Sequence, residues 1–238
     1  MKIRIKLAKG QAVRFISHLD LVGAVEKAVR RAKLPVALSE GFTPRLKISF
    51  ASALALGSTS EGEYADFELS EYVPAAEFRR RLNEQLPPAI EVLAAQPVAS
   101  SSPALMSQVV AALYRVEGEM ATSDQALAMN KWDKFLLQPE IIITKMTKKR
   151  TSQVNIKPLI IKAEFYPTGS VCHWRLLLSS GQQGNLRPEQ LLQAFFDFAD
   201  VAGEVKHIHR INLFVERFGQ LVSPLARVRL PVEAGEVQ

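Results

Sequence analysis

The sequence contains only one cysteine, Cys172, among its 238 residues. A single cysteine excludes an internal disulfide, a cysteine-ligated zinc and an iron–sulfur cluster held by this chain alone. The chain also lacks an apolar run long enough to span a membrane, and MKIRIKLAKG lacks the continuous apolar core of a signal peptide. These absences predict a protein of the reducing cytoplasm.

Common catalytic and nucleotide-binding motifs are absent as well. The sequence has no G-x-x-x-x-G-K-[ST] phosphate loop, no G-x-G-x-x-G, no G-x-S-x-G and no H-E-x-x-H. His207 and His209 alternate along a predicted strand, but no third ligand stands at a suitable spacing. We therefore expect neither a metal site nor a bound cofactor.

Positive charge is in modest excess and is unevenly distributed. The formal net charge of +6 at pH 7 favours contact with polyanions such as RNA. Six basic residues lie between Lys27 and Lys47 against one acid, Glu40. The segment from Lys145 to Lys157 has five basic residues and no acid, whereas Glu61 to Glu77 is strongly acidic. The two basic segments are the candidate contacts for a polyanion.

Hydrophobic periodicity predicts the order β-α-β-β-α-β twice. In the first half, KIRIKLA alternates like a half-buried strand, and apolar residues recur at helical spacing from about Leu19 to Lys33. The Pro/Ser-rich stretch PVASSSPALMS then marks a boundary. The sequence therefore predicts an α+β fold of two tandem ferredoxin-like (βαββαβ) units, at 1–99 and 106–238. The second unit carries an extra strand or hairpin arm, which is rich in basic residues and occupies 140–157.

The predicted topology also pairs charges on the first sheet. Strands one and three are antiparallel neighbours in a ferredoxin-like unit, so Lys2, Arg4 and Lys6 should lie near Asp66 and Glu68 on the helix-free face. Such cross-strand ion pairs each contribute roughly 0.2 to 1 kcal/mol. We expect them to neutralise this face rather than leave it for RNA.

The segment RFISHLDL has the form of a helix start. The Ser17 hydroxyl can accept from the first turn and Asp20, three residues on, can reach back as in a capping box. His18 is not needed for capping, and the positive end of the helix dipole disfavours its protonation. A neutral His18 could be a structural histidine, a phosphate contact or a general base.

The turn in SEGFTPRLKISF supplies two further cations, Arg45 and Lys47. If this turn lies beside the start of the first helix, Arg14, His18, Arg45 and Lys47 would form a phosphate-binding rim. A second RNA contact is expected at the tip of the hairpin arm, where Lys148, Lys149 and Arg150 are concentrated. An ordinary basic connection and a solvated tip are the alternatives.

Three segments, RFISHLDL, EKAVRRAKLPVALSEGFTPRLKISFASALALG and SEGEYADFEL, resemble the hallmark run of the radical SAM-linked protein family. The match covers about residues 10–70, and KKRTSQVNIKPLI and GNLRPEQLL extend it weakly into the second half. This bacterial domain of unknown function (2344) occurs alone, the form expected here, or at the C-terminus of radical SAM proteins with a B12-binding-type domain. It is often encoded near ribonuclease G and ribosomal protein genes.

The resemblance implies a radical SAM B12-binding-type protein as a partner in trans. This chain lacks the three cysteines of a radical SAM cluster and the D-x-H-x-x-G loop of base-off B12 binding, so it could only assist such an enzyme. The family commonly has a GFNPHP-type turn, whose histidine is replaced here by Arg45. Arginine cannot replace a proton-transferring histidine but can replace a phosphate contact, which favours binding over catalysis at the turn.

The function expected from the sequence is a non-catalytic RNA-binding accessory module. It would present a structured RNA, such as tRNA or rRNA, to a radical SAM enzyme or to the RNA-processing machinery. One alternative is a metal-independent endoribonuclease with His18 as general base, because tandem ferredoxin-like units also describe CRISPR repeat-processing endoribonucleases. The other is a protein-interaction module for the radical SAM partner.

Overall fold

The alternation in KIRIKLA forms the first strand of the computed structural model, which describes residues 1–122, 124–146, 151–182 and 184–226. Strand β1, Lys2–Lys9, buries its odd-numbered aliphatic residues against the first helix. Helix α1, His18–Arg31, buries Leu21, Val25, Ala28 and Val29, the apolar stripe predicted from the sequence. It ends at Arg31, four residues before Pro35.

The remaining elements follow the predicted order closely. The first half continues with β2 (Ile48–Phe50), β3 (Thr59–Glu68), α2 (Ala75–Asn83) and β4 (Ile90–Val98). The second half contains α3 (Leu105–Gln108), β5 (Val109–Met120), α4 (Gln125–Leu137), β6 (Ile142–Met146), β7 (Thr151–Asn155), β8 (Ile160–Thr168), β9 (Val171–Ser179), α5 (Pro188–Ala199), β10 (Gly203–Arg217) and β11 (Gln220–Val222). The protein is therefore a mixed α+β molecule.

Among the described residues, strands of both halves form one nine-stranded sheet. The strand order is β4-β1-β3-β10-β5-β9-β8, with β2 also paired to β3 and β11 to β10. The only parallel pairing between described strands of this sheet joins the halves, where Thr59 and Ser60 of β3 lie opposite His209 and Arg210 of β10. We call this pairing the seam. Strands β6 and β7 form a separate two-stranded sheet, the predicted hairpin arm.

The helices pack on one side of the sheet over two apolar cores. In the second half, Trp132 of α4 and Phe195 of α5 pack in an aromatic cluster with Phe165 and Trp174 from β8 and β9. In the first half, Phe78 of α2 packs edge-on against Phe67 of β3. No helix within the described ranges is both long and apolar enough to cross a membrane.

The predicted cross-strand charge pairing is present on the helix-free face of the first half. Arg4 lies opposite Asp66, and its Nε and Nη2 donate to the two carboxylate oxygens at 2.7 and 2.9 Å. Both side chains are buried, because the chain near Pro224 covers them and its carbonyl accepts from Arg4. Lys2 lies opposite Glu68 but donates to the Ser102 carbonyl instead.

Candidate functional site

Helix α1 begins with the capping box that RFISHLDL predicts. The Ser17 hydroxyl accepts from the Asp20 backbone N–H at 3.1 Å, and the Ser17 N–H donates to the Asp20 carboxylate at 3.1 Å. Two of the otherwise unpaired N–H groups at this end are thereby satisfied. The cap fixes where the helix starts and so fixes the position of the next residue, His18.

The His18 ring is half-buried and contacts the edge of Phe50 at 5.4 Å between ring centroids. Its Nδ1 is buried and has no hydrogen-bond partner among the described residues. Burial lowers the pKa of His18, the positive charges of Arg210 and Lys9 lower it further, and Glu63 opposes them. The imidazole is therefore neutral near pH 7, as its place at a helix N-terminus predicts.

Three buried charged side chains lie near His18 on the helix side of the sheet: Lys9, Glu63 and Arg210. Each is at most 2% exposed. Arg210 forms a bidentate ion pair with Glu63, and its Nε donates at 2.8 Å. Lys9 Nζ donates to the carbonyls of Arg14 and Ile16 at 2.8 and 3.0 Å. We call these three residues the buried charge cluster, which holds two cations and one carboxylate.

The sequence pattern contained a signal for this cluster that the prediction did not use. Lys9 continues the odd-numbered series of Ile3, Ile5 and Leu7, and Glu63 continues that of Ala65 and Phe67. A charge at the position of a core residue is expected to be paired with a partner in the interior. The partner, Arg210, could not be identified, because it lies 147 residues from Glu63 along the chain.

A cavity of about 430 Å³ lies beside the buried charge cluster, between the two halves of the chain. Tyr114, Ile208 and Arg210 line it from the sheet, and residues 51–55, 180–182 and 187–189 contribute its walls. Arg210 also donates to the carbonyls of Ser52 and Ala53 at 3.4 and 3.3 Å, which ties the first wall to the sheet. A cavity of this size can hold a small organic group.

Arg14 contacts the loop of residues 51–58, which joins β2 to β3. Its carbonyl accepts from Gly57 N–H at 3.0 Å, in addition to Lys9. The Arg14 guanidinium lies 4.5 Å from the centroid of the Phe15 ring, which is 68% exposed. Arg14 and His18 are therefore both held where α1 begins.

The structure does not bring Arg45 and Lys47 to this region, which corrects the predicted rim. Lys47 Nζ lies 3.5 Å from a Glu68 carboxylate oxygen, at the far end of β3 from the seam. His18, in contrast, lies near Glu63 of β3. The five residues from Glu63 to Glu68 span about 17 Å of strand, so Lys47 is far from His18. Arg45 lies in the same turn, where its N–H donates to Ser39 and its side chain is exposed. The turn extends the sheet edge instead of folding over α1.

The two histidines of β10 converge on one hydroxyl group at the seam. Thr59 Oγ1 lies 2.9 Å from His207 Nε2 and 2.8 Å from His209 Nδ1. Within the described part of the chain, no group of three or more His, Cys, Asp or Glu side chains is arranged to hold a metal ion. The predicted contacts Lys148, Lys149 and Arg150 lie outside the described residues.

The fold of the chain resembles that of a chain in a solved structure. The chain is similar to one in the crystal structure of a Cbf5–Nop10–Gar1 complex, with a TM-score of 0.53, 11% identity, and coverage of 89% of this chain and 48% of that one. A chain of the archaeal box H/ACA sRNP Nop10–Cbf5 complex matches with a TM-score of 0.48, 10% identity, and coverage of 87% and 46%. This chain thus spans about half the length of those it matches.

Comparison of the sequence with known proteins gives a family but no function. No curated protein matches the chain. The model of a family described as an uncharacterised protein conserved in bacteria (DUF2344) matches residues 2–188. The matched range includes α1, the 51–58 loop, the buried Lys9 and Glu63, and most of the cavity lining. The chain therefore belongs to the DUF2344 family of uncharacterised bacterial proteins.

Proposed function

We propose that the protein is a non-catalytic RNA-binding module and that RNA contacts the helix-side cleft between its two halves. The observation that carries the proposal is the cavity of about 430 Å³ beside the buried charge cluster. The cluster has two cations and one carboxylate, and charges below the surface are screened by salt less than exposed ones. With Arg187 and Glu189 of the cavity lining counted as well, one net positive charge remains, and it favours a phosphate-bearing ligand.

The rim of the cleft supports the same proposal. Arg187 is exposed at the N-terminus of α5 and lines the cavity, where a guanidinium and helix N–H groups can bind a phosphate. Phe15 presents an exposed ring next to Arg14, and aromatic side chains of this kind stack on unpaired RNA bases. RNA in the cleft would reach Phe15 and Arg14 across the 51–58 loop, whose residues 51–55 line the cavity.

We also propose two finer points of organisation. The strand orders β4-β1-β3-β2 and β10-β5-β9-β8 support two ferredoxin-like units, at 1–99 and 106–238, that share one sheet. The partner is proposed to be a radical SAM B12-binding-type protein, as the sequence resemblance implies, with tRNA or rRNA as the RNA. The proposed complex would work in the cytoplasm.

Titration of labelled bacterial total RNA, followed by filter binding at low and moderate salt, tests the proposal. We expect binding tighter than about 10 micromolar at low salt, where phosphate contacts are strongest, with affinity falling as salt rises. Arg14→Glu with Arg187→Glu should weaken binding by about tenfold or more, because two attractive contacts become repulsive. Unfolding curves of the variant should match those of the wild type, since both residues are at the surface.

The matched control is Lys27→Glu with Arg30→Glu, which makes the same change of net charge on the exposed face of α1. If RNA contacts the cleft, this control should bind RNA better than the Arg14 and Arg187 variant. Equal losses in the two variants would show attraction by net charge alone. Absence of binding by the wild type at low salt would refute RNA binding itself.

A metal-independent endoribonuclease is a second candidate function, favoured by a neutral His18 whose buried Nδ1 has no hydrogen-bond partner in the described part of the chain. In this case the protein should cleave RNA in EDTA, and His18→Ala should reduce the rate by a factor of about 10² to 10⁴. His18→Gln is the comparison variant, because it fills the site but cannot accept the proton. Cleavage that survives both substitutions would remove His18 from the mechanism.

A further inference from the structure

The helix-free face of the second half carries a row of polar side chains. Tyr114 and Val116 of β5 and Trp174 and Leu176 of β9 belong to the apolar core on the helix side. Side chains alternate along a strand, so the intervening Arg115 and Arg175 point to the opposite face. Both arginines are exposed.

The two arginines lie directly opposite each other on adjacent antiparallel strands. Cβ atoms of such a pair are about 5 Å apart, and like charges at this distance repel. Neither guanidinium forms an ion pair with another described residue within 4.0 Å. The two guanidinium groups are therefore close enough for one multivalent anion to contact both.

The carboxylates nearby are mainly engaged with other groups. Glu164, opposite Arg175 on β8, is 2.6 Å from Lys162 Nζ. Glu117 lies one row away, opposite His207 on one side and His173 on the other. Glu61 is 3.8 Å from His209 Nε2, and His209 is the neighbour of Arg115 on β10. The centre of the row therefore keeps its positive charge.

An exposed aromatic residue completes the surface. Tyr166 of β8 is 54% exposed and lies opposite His173 of β9, one row from the arginine pair. Rows on one face of a sheet are separated by two residues, or about 7 Å along the strand. A flat ring at this distance from a pair of guanidiniums is suited to a chain in which planar bases alternate with anionic groups.

We propose that this face is a second RNA contact, at which Arg115 and Arg175 together hold a backbone phosphate and Tyr166 stacks on a neighbouring unpaired base. The inference rests on the proposed RNA-binding function but uses a different face of the sheet from the cleft. A single-stranded segment is specified because stacking on an open sheet requires an unpaired base. Together the two faces would let one RNA contact both sides of the molecule.

The experiment is a fluorescence anisotropy titration of a labelled 12-nucleotide single-stranded RNA over a series of salt concentrations. Arg115→Ala with Arg175→Ala should weaken binding by about tenfold and reduce the slope of log affinity against log salt by about one to two. Tyr166→Ala should weaken binding at every salt concentration without changing the slope, because stacking releases no counterions. The melting temperature of the double arginine variant should be unchanged or higher, because a repulsive pair is removed.

The matched control is Lys27→Ala with Arg30→Ala, which removes two exposed cations from α1. Equal losses of affinity in the control and in the Arg115 and Arg175 variant would overturn the second contact and leave the cleft proposal standing. Failure of the wild type to bind any RNA would overturn both proposals. Displacement of the RNA by polyglutamate at equal charge concentration would also overturn this inference, because the surface would then fit an acidic protein segment.

Discussion

At the scale of single residues, the most informative feature is a charge where the strand pattern requires a core residue. Lys9, Glu63 and Arg210 occupy inward positions of β1, β3 and β10. Burying an ion is unfavourable unless it is paired and hydrogen-bonded, and here the pairing links strands from both halves. Because well-packed apolar residues often give similar stability, the buried ion pair is by itself weak evidence for stability.

Glu63→Gln should lower the free energy of unfolding by about 3 to 5 kcal/mol, because it leaves the buried Arg210 guanidinium without its counter-charge. Replacing both partners, as Glu63→Leu with Arg210→Met, should lower it by less, since no uncompensated charge remains. Urea denaturation at pH 7 measures both variants. Glu77→Gln is the control, because it breaks an exposed ion pair with Arg80 on α2 and should have little effect. A double variant less stable than Glu63→Gln would contradict this explanation.

At the scale of elements, local patterns were sufficient to predict most strands and helices. The alternation in KIRIKLA and EGEYADFEL and the helical spacing after Ser17 are each set by neighbours in sequence, and β1, β3 and α1 follow them. The prediction for the boundary region at 97–107 was less accurate, because β4 continues to Val98 and a short helix, α3, occupies Leu105–Gln108. A pattern of Pro and Ser shows where regular structure weakens but not how the chain packs there.

The candidate site was only partly predictable at the same scale. Ser17, His18 and Asp20 were placed correctly, because a helix cap depends on residues within one turn. Arg45 and Lys47 were not, because the position of a turn depends on the strand that it pairs with. That turn follows the edge of β3, where Ala37 N–H donates to the Glu68 carbonyl at 2.8 Å, and this direction carries it away from α1.

At the scale of the whole molecule, the seam joins the two halves in one sheet, and just beyond it β3 and β10 approach at a place where only a glycine fits. A Cβ on Gly62 would lie 2.5 Å from Asn212 Cα and 2.6 Å from the Ile211 carbonyl oxygen of β10. Both neighbours are backbone atoms, which cannot turn aside as a flexible side chain can. The absence of a side chain on β3 therefore allows β10 to approach.

Gly62→Ala should lower the free energy of unfolding by about 1 to 3 kcal/mol, because the added methyl group forces β3 and β10 apart. Gly23→Ala is the matched control, since a Cβ there meets nothing within 4 Å. It should raise stability by about 0.5 to 1 kcal/mol through better helix propensity. Tryptophan fluorescence during urea unfolding measures the loss of stability in the second half, because both tryptophans, Trp132 and Trp174, lie there. An unchanged midpoint for Gly62→Ala would show that the halves unfold independently.

The sequence by itself determined the order of the strands and helices, the cap of α1, the cross-strand pairing of Arg4 with Asp66 and the family. The element order, the cap and the family depend on local spacing or on a pattern within a short segment, and the charge pairing follows from the antiparallel neighbours that the element order implies. Only the tertiary structure decided that the two halves share one sheet, that Arg210 meets Glu63, and that a cavity and an arginine pair lie on opposite faces. These depend on contacts between residues far apart in sequence, which side-chain periodicity does not encode.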